Sequence, residues 1–129
     1  MTPRPDDNSI NNEEDLWRRI LPGWLHREPT GEVRPSSIAF RDVRSGEVSV
    51  HRATLATVDG VLGPYPADSL AAVEAAVPRA HRYTVASDPQ PEDPSHCVLC
   101  SPDGRRNKKA ERAMALAARW VLLRPEIVR

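Results

Sequence analysis

Proline is the residue that most constrains this chain, because 13 of the 129 residues are proline. Each proline fixes φ and removes a backbone donor, so it ends helices and is kept out of central strands. The prolines divide most of the sequence into short segments. Such a chain cannot form a long coiled coil, a helical bundle or a helical repeat. Its length leaves room for one ordinary domain.

The charge of the chain is balanced overall but unevenly placed. Eighteen basic and 18 acidic residues give a formal charge of zero, which argues against a protein that coats nucleic acid. Residues 101–129, however, hold eight basic and three acidic residues, a net charge of +5. The remainder of the chain therefore carries −5, and a local basic patch is expected near the C-terminal end.

The basic residues and the apolar segments also indicate an origin and a compartment. Sixteen of the 18 basic residues are Arg, which together with frequent Ala, Val and Pro suggests a bacterial genome rich in G and C. The sequence contains no apolar run long enough to cross a bilayer, and its first 15 residues are polar. We therefore expect a soluble cytoplasmic protein without membrane contact.

The periodicity of apolar residues predicts one domain over residues 12–129, preceded by a disordered tail over residues 1–11. Helices are predicted over 12–21, 70–77 and 107–122, and a hairpin over 36–52 with its turn at Ser45-Gly46. Further strands are expected over 54–58, 81–86 and 96–100. The order indicates a small α+β fold, a mainly antiparallel sheet with two or three helices on one face.

His96, Cys97 and Cys100 are residue types that bind zinc, and Cys-x-x-Cys is the usual first half of such a site. The sequence has no second cysteine pair, and adjacent residues of a strand point to opposite faces. The preferred interpretation is therefore two small buried cysteines on a strand, with no metal or other cofactor.

The segment from Asp88 to His96 combines titratable groups with a stiff backbone. It contains Asp88, Glu92 and Asp93, and three prolines reduce the entropy lost when these groups are held in place. An imidazole next to a carboxylate is the arrangement of a general acid/base, with His96 as the base and Asp88 or Asp93 orienting it. The alternative is that the aspartates only stabilise turns.

A basic cluster precedes and begins the last predicted helix. Its members are Arg105, Arg106, Lys108 and Lys109, with Arg112 one turn further on. Positive charge at a helix N-terminus opposes the helix dipole, which suggests an external anion as the partner. The alternative partner is the acidic Asp88–Asp93 segment. The cluster is too small to indicate nucleic-acid binding. Arg34, Ser36 and Ser37 either add a polar pocket near it or only end a loop and satisfy backbone groups at the strand edge.

Three motifs carry a resemblance that covers most of the chain from residue 31 onward. They are Arg34-Pro-Ser-Ser-x-Ala-Phe40, Asp88-Pro-x-Pro-Glu-Asp-Pro-x-His96 and Ala118-Arg-Trp-Val121. The chain resembles a group of small bacterial proteins with no assigned activity, so the resemblance implies no function. Similar proteins carry the Asp-Pro…His segment without the cysteine pair, which favours His96 over zinc.

Three functional hypotheses follow. The first is a binding module that holds an anionic small molecule or an acidic protein at the basic helix start, with Arg34, Ser36, Ser37 and the His96 segment nearby. The second is a small enzyme that uses His96 with Asp88 or Asp93. The third is an accessory subunit of a larger complex that docks through Trp17 and Trp24.

Overall fold

Eight short strands and three helices make up the computed structural model, which describes residues 4–41 and 46–124. The strands are β1 (Asp15–Ile20), β2 (Leu25–Arg27), β3 (Val33–Pro35), β4 (Glu47–Arg52), β5 (Ser69–Glu74), β6 (Thr84–Ser87), β7 (His96–Cys100) and β8 (Arg119–Leu122). The helices are α1 (Val58–Leu62), α2 (Ala76–Ala80) and α3 (Lys108–Ala117). Among the described residues no helix is long and apolar enough to span a bilayer.

Six of the strands form one sheet in the order β6-β7-β4-β1-β5-β8, and β2 pairs with β3 in a second, small sheet. Every pairing is antiparallel. The predicted α+β class with a mainly antiparallel sheet is thus confirmed.

The main core lies on the face of the sheet that α3 covers. Alternate residues of the central strands point toward it, beginning with Leu16 and Ile20 of β1. Met114 of α3 and Phe40 complete this core and are almost fully buried. The other members from the strands are Val48, Val50, Ala71, Val73, Val85, Cys97 and Leu99. Helix α2 packs against α3 on this side.

The opposite face is only partly covered. Helix α1 packs Val61 and Leu62 against Leu70, with Trp17 and Leu122 beside them. Helices therefore lie on both faces of the sheet and not on one. At the β6–β7 end this second face carries a small apolar group of Ala86, Val98 and Cys100.

Residues 4–11 differ from the predicted disordered tail. Ile10 is fully buried in the main core, and the backbone N–H of Asp7 donates to Val85 O in the edge strand β6. Arg79 donates to the Asp6 carboxylate and to the backbone oxygens of Asp7 and Ile10. These residues form an N-terminal strap across the domain, because ion pairs supply the stabilisation that their composition lacks. Residues 1–3 lie outside the described part.

Several element predictions are wrong or only partly right. The strands β1 and β5 form where helices were predicted over 12–21 and 70–77. A 3₁₀ turn and the start of α1 replace the predicted strand over 54–58. Residues 37–40 form a 3₁₀ turn, so β4 pairs with β1 and β7 instead of closing the predicted hairpin. Ser45 of the predicted turn lies outside the described residues. Helix α3 ends at Ala117, and the chain continues as β8.

Candidate functional sites

His96 contacts Asp88, as the sequence predicted for one of its two carboxylate candidates. The imidazole Nδ1 lies 3.1 Å from Asp88 Oδ2 and 3.1 Å from Asp88 O. Asp88 is brought there by the pairing of β6 with β7, since its backbone N–H donates to His96 O just beyond the last paired residues. Arg4 of the N-terminal strap also pairs with the Asp88 carboxylate at 3.1 Å.

Asp93 does not orient His96 but contacts a second histidine, His51, at the end of β4. His51 Nδ1 lies 3.0 Å from Asp93 Oδ2. Ser95 holds this carboxylate in place, donating to Asp93 Oδ1 from its hydroxyl at 2.5 Å and from its backbone N–H at 3.2 Å. Burial lowers the pKa of the His51 imidazole below its usual value, which favours the neutral ring.

The two histidines are direct cross-strand neighbours. His51 and His96 are register partners in the β4–β7 pair, and their ring centroids lie 6.1 Å apart at an angle of 76°. Their side chains are 18% and 20% exposed, so both rings reach solvent. His51 Nδ1 also lies 3.2 Å from Ser95 Oγ, but this hydroxyl donates its proton to Asp93 Oδ1. Each Nδ1 therefore faces oxygens that accept a hydrogen bond, which places the proton of the neutral ring on Nδ1. Each Nε2 then presents a lone pair, and neither Nε2 has a hydrogen-bond partner among the described residues.

The cysteines do not join His96 in one site. Cys97 belongs to the main core beneath α3, whereas Cys100 belongs to the apolar group on the opposite face. Both are buried and free, and burial raises the pKa of the Cys97 thiol to about 12. The zinc ligand set of His96, Cys97 and Cys100 would therefore need ligands from both faces of the sheet, and Cys97 would have to lose a strongly held proton.

The predicted polar residues Arg34, Ser36 and Ser37 meet in a cavity of about 370 Å³ between the β2–β3 hairpin and α3. We call it the Arg34 cavity. Arg112 of α3 joins them, and the other lining residues are His26, Glu28, Pro35, Ala115 and Leu116.

The polar groups of the Arg34 cavity are incompletely paired. Ser36 Oγ is buried and finds no hydrogen-bond partner in the described part of the chain. Arg112 is exposed and forms no ion pair with any described residue. Arg34 Nε donates to Glu28 Oε1 at 2.6 Å, and His26 Nε2 lies 3.7 Å from the same oxygen. One internal carboxylate thus already pairs with Arg34 and lies beside His26.

Four predicted basic residues lie outside that cavity. Arg105, Lys108 and Lys109 are exposed and form no ion pair among residues 4–41 and 46–124. Arg106 instead contacts the buried carboxylate of Glu111 at 3.2 Å, which Arg41 also approaches at 3.6 Å. The alternative partner for this cluster, the acidic Asp88–Asp93 segment, is bound by Arg4, His51 and His96.

The expected proximity of the His96 segment to the Arg34 cavity is wrong. His96 and Cys97 are consecutive residues of β7, so their side chains point to opposite faces of the sheet. Cys97 faces α3, and the His96 imidazole therefore lies on the other face. The cavity is lined by α3 itself. Trp17 is half-buried against the α1 contacts and Trp24 against the main core. The accessory-subunit hypothesis requires exposed tryptophan rings, which these two do not provide.

His51 is the residue that sequence reasoning missed. Its only local signal is its position after Val48 and Val50, which places it with Ser49 off the core-facing stripe. The chain was compared with protein-family models, with curated proteins and with solved structures, and nothing matches. The two sites must therefore be interpreted from their own chemistry.

Proposed function

We propose that this chain is a small cytoplasmic binding module that holds an anionic ligand in the Arg34 cavity. The observation that carries the proposal is the convergence of Arg34, Ser36 and Ser37 with Arg112. Two guanidinium groups and two hydroxyls provide donors suited to phosphate or carboxylate oxygens. The volume of about 370 Å³ is that of a site for a small molecule.

The basic residues at the start of α3 add long-range attraction. Lys108 and Lys109 lie one helical turn before Arg112, so they approach the same side of α3 without lining the cavity. Exposed charges close to a binding site raise the rate at which an anion reaches it, and salt screens this attraction. The ligand itself would be held by Arg34 and Arg112.

Glu28 makes the proposal sharply testable, because it competes with an incoming anion for Arg34. Glu28→Gln removes this internal carboxylate and should tighten binding of phenyl phosphate. Arg112→Gln removes a charge-assisted contact and should weaken binding about tenfold or more. The two substitutions therefore have opposite expected signs at one site.

The measurement is a ¹H–¹⁵N NMR titration of the full chain with phenyl phosphate at about 50 mM and about 200 mM salt, a range over which contacts of exposed charges weaken. Shifts should concentrate at Ser36, Ser37 and Arg112. Lys109→Gln is the matched control, since it removes one charge from the same helix outside the cavity and should matter only at low salt. Equal affinities in Arg112→Gln, Glu28→Gln and the parent chain would refute the proposal.

A second candidate function is acid/base chemistry at His96, favoured by the 3.1 Å contact with Asp88. An imidazole held by a carboxylate is a suitable general base. If this hypothesis is right, the chain accelerates hydrolysis of a p-nitrophenyl ester, His96→Gln removes the acceleration, and phenyl phosphate affinity stays unchanged. Hydrolysis at the same rate in His96→Gln contradicts it.

A further inference from the structure

On the partly covered face of the sheet, two imidazoles are each oriented by an aspartate. His51 and His96 each direct Nδ1 at an aspartate oxygen, at 3.0 and 3.1 Å. This is the arrangement in which metal-binding histidines are usually held, because the carboxylate fixes the tautomer and makes the opposite nitrogen more basic. The two Nε2 lone pairs arise from neighbouring strands at directly paired positions.

Two lone pairs favour a cation over acid/base chemistry at this pair. An acid/base pair needs one imidazole that donates a proton and one that accepts it. Here the hydrogen bonds at Nδ1 make both rings acceptors at Nε2. The carboxylates of Asp88 and Asp93 add negative charge, part of which Arg4 balances at Asp88. Arg19, the cation near His51, is bound to Asp68 at 2.6 Å and lies over the Tyr65 ring.

The separation of the rings is compatible with a shared ion. With a metal–nitrogen distance of about 2.1 Å and a ring centre about 1.1 Å behind the nitrogen, two imidazoles on one ion have centroids at most about 6.4 Å apart. The observed separation is 6.1 Å.

We propose that His51 and His96 bind one divalent transition-metal ion, of the Zn²⁺, Ni²⁺ or Cu²⁺ type, through their Nε2 atoms. Imidazole is a preferred ligand of these ions. In the described part of the chain no group of three or more His, Cys, Asp or Glu side chains could hold a metal. The remaining positions on the ion are thus filled by water, which leaves them open to exchange with a ligand. Asp88 and Asp93 are positioning residues.

Isothermal titration of the metal-free full chain with Zn²⁺ and Ni²⁺ at pH 7.5 tests the proposal. The expected stoichiometry is one ion per chain. His51→Gln and His96→Gln should each weaken binding at least tenfold, whereas His81→Gln should leave it unchanged. Asp88→Asn and Asp93→Asn keep both ligands but lose the orienting carboxylate, and they should weaken binding about 10- to 100-fold.

X-ray absorption of the Zn²⁺-loaded chain should show two imidazoles in the coordination shell of the ion. A change in protein stability alone cannot produce this signal. Circular dichroism checks that each variant is folded. If a His variant does not fold, the metal affinities of Asp88→Asn and Asp93→Asn test the proposal instead. The proposal is overturned if the parent chain binds no ion, if His81→Gln loses as much affinity as His51→Gln, or if the shell lacks two imidazoles. Arg112→Gln should bind metal normally, since the Arg34 cavity is a separate site.

Discussion

Gly46, directly before β4, has a backbone conformation that other residues rarely adopt. Its φ is +77°, and a Cβ built on it would lie 2.6 Å from Gly104 Cα and 3.2 Å from Ser101 Oγ. Gly46→Ala should therefore lower the free energy of unfolding by about 2 kcal/mol or more, through backbone strain and a clash with backbone that cannot move aside.

Gly31 is the matched control for this substitution. Its φ is +93°, but an added Cβ would meet nothing within 4 Å. Gly31→Ala should cost only the backbone contribution, about 1 kcal/mol. Urea denaturation of both variants measures the difference, and equal losses would show that the contact with Gly104 is unimportant.

The burial of Cys97 predicts a chemically inert thiol. Burial raises its pKa to about 12, and its exposed fraction is zero. At pH 8 the thiolate fraction, and with it the rate of alkylation by iodoacetamide, should be on the order of 10³-fold below that of the unfolded chain. Mass spectrometry of the native and urea-unfolded protein gives both rates. Rapid native modification at Cys97 would mean that the strand opens or that the thiol is more acidic than its surroundings indicate.

At the scale of elements, the predictions failed where a strand is buried on both faces. β5 has five consecutive buried residues, so its apolar positions satisfy helical and strand spacing equally well. β1 fails for a different reason, since Arg18 occupies the core-facing side between Leu16 and Ile20. Its guanidinium donates to Ala39 O and Ser49 O, and no sequence pattern announces those acceptors.

Predictions succeeded where local chemistry decides the structure. Asn107 was expected at the start of the last helix, and its side chain accepts a hydrogen bond from the Ala110 N–H. Asp88 and His96 meet because a short connection joins their strands. Asp93 and His51 meet only because β4 pairs with β7, and strand register between distant segments is not encoded in the spacing of a single sequence.

The N-terminal strap gives a prediction that concerns a whole element. Arg79 alone donates to Asp6, Asp7, Ile10 and Asn12, so it fixes most of the strap. Arg79→Gln should lower the free energy of unfolding by about 2–3 kcal/mol, because several charge-assisted hydrogen bonds are lost together.

Hydrogen exchange locates the effect of Arg79→Gln. Protection should fall first at Asp7 and Ile10, whose N–H groups bond to Val85 O and Asp7 O. Arg82→Gln serves as the control, since Arg82 is exposed and its side chain forms no hydrogen bond to the described residues. Loss of protection spread evenly over the sheet would show that Arg79 supports the core and not the strap.

At the scale of the molecule, the zero net charge conceals a set of ion pairs between distant segments. Arg52 pairs with Glu14 across 38 positions, Arg79 with Asp6 across 73 and Arg119 with Asp15 across 104. These ion pairs join segments that are far apart in the sequence, which adds stabilisation to a chain that proline divides into short elements. Arg105, Lys108 and Lys109 near the start of α3 form no ion pair with described residues, and under the proposed function they attract the anion.

This use of charge predicts that the protein loses stability in acid. Hydrogen bonds from Ser87 and Ser9 lower the pKa of Asp7 to about 2, and the Arg52 guanidinium lowers the pKa of Glu14. Because these values lie below those of the unfolded chain, near 4, the unfolded state binds more protons at intermediate pH. The stabilisation is complete above about pH 5 and is lost as the pH falls toward about 2.

Thermal unfolding between pH 7 and pH 2 tests this expectation, with Asp7→Asn as the informative variant. Its Tm should lie below that of the parent chain at pH 7. The two Tm values should approach each other as the pH falls, because protonation of Asp7 in the parent chain removes the same negative charge that the substitution removes. Asp59→Asn is the control, because Asp59 is exposed and its side chain forms no hydrogen bond or ion pair with other described residues. A constant difference between Asp7→Asn and the parent chain at every pH would show that the Asp7 carboxylate does not act through its charge. Convergence of the two curves would instead identify the N-terminal strap as a part of the molecule that acid releases.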